Sequence, residues 1–130
     1  MKKLSIFLVI LLALVIVISG VACGDSEKTK SELEYANVSQ MRAALEANGI
    51  VGIDWWEGYI LYAQTAGRLQ LNSEHRLELI TFANRQAESN YIAVGEGVGA
   101  VIVEGNLWAV VAETTADAQA AQAALGGEIR

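Results

Sequence analysis

Residues 100–112 read AVIVEGNLWAVVA, and this stretch decides the fold. Val101-Ile102-Val103-Glu104 and Leu107-Trp108-Ala109-Val110-Val111 are apolar runs separated by Gly105-Asn106. Both turn residues adopt positive φ readily, so the pattern predicts a hairpin with a two-residue turn. A helix is expected next. Thr114 or Thr115 offers the N-cap, Ala118, Ala121 and Leu125 form one stripe, and Gly126-Gly127 ends it.

The same order occurs upstream. Between Arg68 and Phe82, Leu69 and Leu71 alternate with polar neighbours, and Asn72-Ser73-Glu74-His75 carries turn chemistry. Leu77, Leu79 and Thr81 then alternate against Glu78, Ile80 and Phe82. Ser73 and Glu74 would alternatively cap a helix, but the period of two favours a second hairpin. Asn84 caps a helix to about Ala93, with Ala87, Tyr91 and Val94 facing inward, and Gly95-Glu96-Gly97-Val98-Gly99 reads as a flexible loop. Two hairpin–helix units predict a two-layer α+β fold, a four-stranded antiparallel sheet with helices on one face.

A further helix, Val38 to Asn48, joins that layer. Ser39 is its expected N-cap, with Val38 and Ala43 placed as a staple. Met41, Ala44 and Leu45 share a face, and Gly49 suits the left-handed position that lets Ile50 fold back on Leu45. Ile50 to Thr65 is mixed and aromatic, with a strand expected over Tyr59 to Ala63. Gly24 to Tyr35 is polar and charged, and reads as a solvated spacer.

The chain begins MKKLSIFLVILLALVIVISGVAC. Lys2 and Lys3 form a basic head, Ile6 to Ile18 is unbroken apolar sequence, and small residues lead to Cys23. These are the parts of a secretory signal peptide. An uncleaved anchor is the alternative, because Leu4 to Val21 approaches the length of about 20 residues that spans a bilayer. Ser19-Gly20-Val21-Ala22-Cys23 resembles a bacterial lipobox in its relaxed form, with Gly20 where the family usually has leucine. That resemblance implies a diacylglyceryl cysteine at Cys23, palmitate on the protein and cleavage just before it. The organisation expected is residues 1–22 as signal peptide, 23–36 as lipidated cysteine and linker, and 37–130 as one small domain. Its location would be the extracytoplasmic face of the cell membrane, with the bilayer as first partner.

The whole chain has a net charge of −6. Without Lys2 and Lys3 it would hold seven basic residues against fifteen acidic ones, a charge of −8. That balance argues against nucleic acid, whose binding rests on neutralised phosphates. Cys23 is the only cysteine, so no disulfide and no cysteine-based metal site is expected, and the absence of proline leaves turns to Gly, Asn and Ser.

The second half is similar to small lipoproteins of high-GC Gram-positive bacteria and their phages. Leu79-Ile80-Thr81-Phe82, Gly105-Asn106-Leu107-Trp108-Ala109-Val110, the closing Ala124-Leu125-Gly126-Gly127-Glu128 and the first helix with Gly49-Ile50 carry the likeness. Relatives often have cysteines near Val51, Gly52 and Leu69; this chain has none there. The resemblance implies fold and location more than activity.

Asp54 and Glu57 flank Trp55 and Trp56, a pairing of acids and tryptophans found in sugar-cleaving sites. Glycoside hydrolysis needs two carboxyls across a cleft, which a local pair does not supply. Trp55, Trp56 and Tyr59 are instead the candidate ligand-binding platform, through stacking on sugar or peptide. The bland alternative is one tryptophan capping the core with the acids in water. Gly95-x-Gly97-x-Gly99 lacks the strand-before, helix-after context of a phosphate loop. His75, the single histidine, is expected exposed in its turn, and Trp108 to cover the sheet. Asn37-Val38-Ser39 matches a glycosylation sequon by pattern only.

The reading is a non-enzymatic, cofactor-free lipoprotein that binds a cell-envelope protein or wall ligand. A phage-encoded superinfection-exclusion lipoprotein and a membrane-anchored envelope hydrolase are the alternatives.

Overall fold

A computed structural model describes residues 33–130. The leader, Cys23 and the expected anchor helix lie outside those residues. The elements are α1 (Val38–Ala47), β1 (Asp54–Glu57), β2 (Thr65–Gln70), β3 (Arg76–Thr81), α2 (Arg85–Gly97), β4 (Val101–Glu104), β5 (Trp108–Ala112), α3 (Thr115–Leu125) and β6 (Glu128–Ile129). The fold is α+β, with one antiparallel sheet in the order β1-β2-β3-β5-β4-β6 and three helices.

Six strands replace the four expected. Both expected hairpins are present, and β3 joins them by pairing with β5, Leu79 opposite Val110. The additions sit at the sheet's two margins. β1 pairs with β2, Trp56 opposite Arg68, and β6 pairs with β4, Val103 opposite Ile129. Gly126 and Gly127 do end α3, but their φ values of +88° and +82° turn the chain back onto β4. The strand expected over Tyr59 to Ala63 is a turn.

The helices occupy both faces, where one was expected. Val38, Met41 and Leu45 of α1 and Ala118, Ala121 and Leu125 of α3 pack with Leu69, Leu77, Leu79, Val103 and Val110. Ile92 of α2 packs on Ile80, Phe82, Ile102 and Ala109. Successive strand residues point to opposite faces, so Ile102 and Val103, both fully buried, require a cover on each side. Burying both faces removes apolar surface from water at roughly 25 cal/mol per Å².

Local signals explain the helix ends. The α1 cap is Asn37, not Ser39: Asn37 Oδ1 accepts the Gln40 amide at 3.0 Å. Val38 is thereby inside the helix and buried. Gly49, at φ +83°, lets Ile50 N–H reach Leu45 O at 2.9 Å, the expected reversal. Asn84 and Thr114 cap α2 and α3. On α2, Val94 is exposed, whereas Glu88 and Ile92 are buried. The helix also continues through Gly95 and Gly97, where a loop was expected. Gly95 lets it lie against Ile102, because a β-carbon there would overlap the Ile102 side chain.

The β4–β5 connection takes three residues, with Leu107 at φ +64°. Trp108 is wholly buried. Its Nε1 donates to Leu33 O at 2.7 Å, and the Tyr35 ring meets it edge-on at 5.4 Å. The first described residues are thus fixed to the core by this indole.

Candidate functional site

The margin of the sheet at β1 brings the candidate binding residues to the surface. A four-residue strand forms here because DWWE lies opposite the longer β2, with Gly67 leaving room for the Trp55 ring. Alternation then divides the tryptophans. Trp55 points to the face of α1, where the Arg42 guanidinium lies 5.0 Å from its ring centre. Trp56 points to the opposite face and is 44% exposed. Tyr59 follows Gly58 in the β1–β2 loop and is 80% exposed. The three aromatic residues therefore do not make one platform: Trp56 stands on the sheet face, Trp55 behind it and Tyr59 beyond its end.

Trp56 has partners that composition did not reveal. Arg68, directly opposite in the register, places its guanidinium 5.1 Å from the Trp56 ring centre. The same group donates to Glu78 at 3.2 Å, and Glu78 accepts the Tyr91 hydroxyl at 3.0 Å. Burial and the neighbouring Glu78 carboxylate push the Tyr91 hydroxyl pKa upward. Tyr91 thus stays a neutral donor that holds Glu78 in place for Arg68. Asp54, Trp56, Arg68, Gln70 and Arg76 surround a shallow depression of about 190 Å³, with Trp55 at its border. Cross-strand spacing of alternate residues could have found this set, given the β1–β2 register.

The acids beside the tryptophans are separated in the same way. Asp54 Oδ1 accepts the Trp55 amide at 2.9 Å, and Glu57 Oε1 accepts the Ser39 hydroxyl at 3.2 Å on the α1 side. Positions three apart on a strand face opposite sides, so these carboxylates do not share a cleft.

His75 is half-buried, not exposed, and its Nδ1 lies 3.0 Å from Asp117 Oδ2 in the first turn of α3. The turn before it is made by Asn72, whose Oδ1 accepts the Glu74 and His75 amides at 2.8 Å each. Among the described residues, no three His, Cys, Asp or Glu side chains are grouped to hold a metal ion. No helix among them is long and apolar enough to cross a membrane.

One buried acid escaped the sequence reading. Glu88, on the first turn of α2, accepts the Leu107 amide at 3.0 Å and lies 3.5 Å from Arg85. Burial, then the hydrogen bond and charge of Glu104, raise its pKa to about 7. A lone Glu in an amphipathic helix gives no sign of this, because its partners come from β4 and the turn after it.

No family model, curated protein or solved structure matches the chain.

Proposed function

We propose that the protein is a lipoprotein held on the extracytoplasmic face of the cell membrane, whose domain is a non-catalytic binding module. The leader supports the first half: charge, apolar run, small residues and Cys23 stand in the order that lipidation uses. Two acyl chains suffice for stable anchoring, where one is marginal.

The observation that carries the binding half is Trp56, 44% exposed, stacked with Arg68 on the sheet face opposite α1. An exposed indole backed by a guanidinium offers a flat, apolar surface with donors at its margin. Gln70 and Arg76 add further donors beside it. Such a surface suits a wall sugar or an envelope peptide carrying a carboxylate. The domain's acidity turns it away from nucleic acid.

Two measurements test the reading. Globomycin should make the full-length precursor accumulate, seen by mass, and Cys23→Ser should abolish labelling by palmitate. The purified full-length protein should co-sediment with isolated cell-wall sacculi, with Trp56→Ala and Arg68→Ala each weakening that association several-fold. Sedimentation unchanged in both variants would remove the proposed site.

A further inference from the structure

The first described residues and the β1–β2 loop emerge at the same end of the sheet. Leu33 is held by Trp108, and Val38 N–H donates to Thr65 Oγ1 at 3.1 Å. Thr65, Thr81 and Trp108 form one row across β2, β3 and β5. The loop leaves at that row, where Gly58 N–H donates to Ala66 O at 3.1 Å and Gln64 N–H to Thr81 O at 2.7 Å.

This loop is unusual for so acidic a chain. Residues 58–64, GYILYAQ, carry no charge. Tyr59, Leu61 and Tyr62 are all exposed. Ala63 N–H donates to Ile60 O at 3.0 Å, closing a turn with Leu61 and Tyr62 at its tip. Tyr62 sits there at φ +72°, a conformation that suits glycine. A bulky ring held at a strained and exposed position is not explained by core packing. Of the other exposed aliphatic residues described, Leu33 lies at this same end, whereas Val51, Ile53, Val94 and Val98 lie at the far end of the sheet, interspersed with Asp54 and Glu96.

We propose that the loop end of the domain docks on the lipid bilayer, with Tyr59, Leu61 and Tyr62 at the headgroup boundary. The inference rests on the reading of Cys23 as the lipid-bearing residue. Nine residues lie between Cys23 and Leu33, a reach of at most ~35 Å over the ten steps. The tether therefore delivers this end of the sheet to the membrane before any other. Docking is then intramolecular, at an effective concentration of roughly millimolar order, so a few side chains are enough. Tyrosine rings, apolar with a polar tip, favour the membrane–water boundary. The domain's negative charge opposes anionic headgroups, so the contact is apolar and survives high salt.

The test uses the full-length lipidated protein in phosphatidylcholine vesicles, spin-labelled at Leu61→Cys or, as control, at Ser73→Cys in the β2–β3 turn. With Cys23 acylated, each variant has a single free thiol. Collision with a water-soluble nickel chelate should be several-fold lower at position 61 than at 73, and collision with oxygen higher. Adding Tyr59→Glu and Tyr62→Glu should return position 61 to water while the protein still floats with the vesicles. A floating wild-type loop whose label is fully water-accessible would overturn docking and leave lipidation standing. Dipolar coupling between labels at 61 without lipid exposure would overturn it in favour of self-association. If mass shows an unprocessed leader, lipidation falls. Docking is then judged by the same collision ratio in the Cys23→Ser background.

Discussion

Glu88 on α2 and Glu104 at the end of β4 share a hydrogen bond, two carboxyls placed together beside the β4–β5 turn. Arg130 lies 3.1 Å from Glu104, and the Leu107 amide donates to Glu88. One proton between the two acids resolves their repulsion. Because the Glu88 pKa is raised from 4.5 to about 7, the folded state holds that proton more tightly than the unfolded chain. Its stabilising contribution is complete below the unfolded value and disappears as pH rises through about 7. Thermal melts should show this loss between those limits, on the order of 1–3 kcal/mol in size. Glu88→Gln should flatten that part of the profile, and an unchanged slope would refute the pairing.

Trp108 joins the sheet, α3 and the first described residues. Trp108→Ala should cost about 3–5 kcal/mol in denaturant unfolding, as for other large buried side chains. Trp108→Phe keeps most of the volume but leaves the Leu33 carbonyl without its indole donor, which should cost about 1–2 kcal/mol. Gly105→Ala should also destabilise, since its β-carbon would overlap the Trp108 ring.

Asn37→Ala should lower stability by about 1 kcal/mol, the usual cost of losing an N-cap. Ser39→Ala should be near neutral, because its hydroxyl reaches only the exposed Glu57 carboxylate. Equal effects from the two variants would place the helix start wrongly.

Tyr62→Gly relieves the positive φ at the loop tip. It should raise stability by about 0.5–1 kcal/mol while weakening bilayer contact. A loss of stability would mean that the ring supports the fold.

The two central hairpins, the three helices and the glycine ends of α1 and α3 were legible because each rests on residues close in sequence. Gly49 with Ile50, Asn84 and Gly105-Asn106 are local signals, read from a few neighbours. What escaped depends on partners far along the chain. DWWE becomes a strand only because Thr65 to Gln70 lies beside it, and Glu128-Ile129 only because β4 has an open margin. Placing helices on one face followed from assuming that each strand hides a single side. Ile80, Phe82 and Ile102 show that the central strands hide two. At the site, Trp55 and Trp56 were found by residue type, whereas Arg68 and Glu78 needed the register and Tyr59 lies apart in the β1–β2 loop.

The short β6 also limits how copies of this protein can accumulate. At one border only Glu128 and Ile129 offer a ladder, and Arg130 is already spent on Ile102 O and Glu104. Two residues are too few to template a further chain. At the other border β1 leaves Trp55 and Glu57 with outward backbone groups. A sheet able to extend from one border joins a single neighbour and then stops. Any edge-to-edge contact between the described domains would therefore go through β1 and favour pairs over an extended ladder.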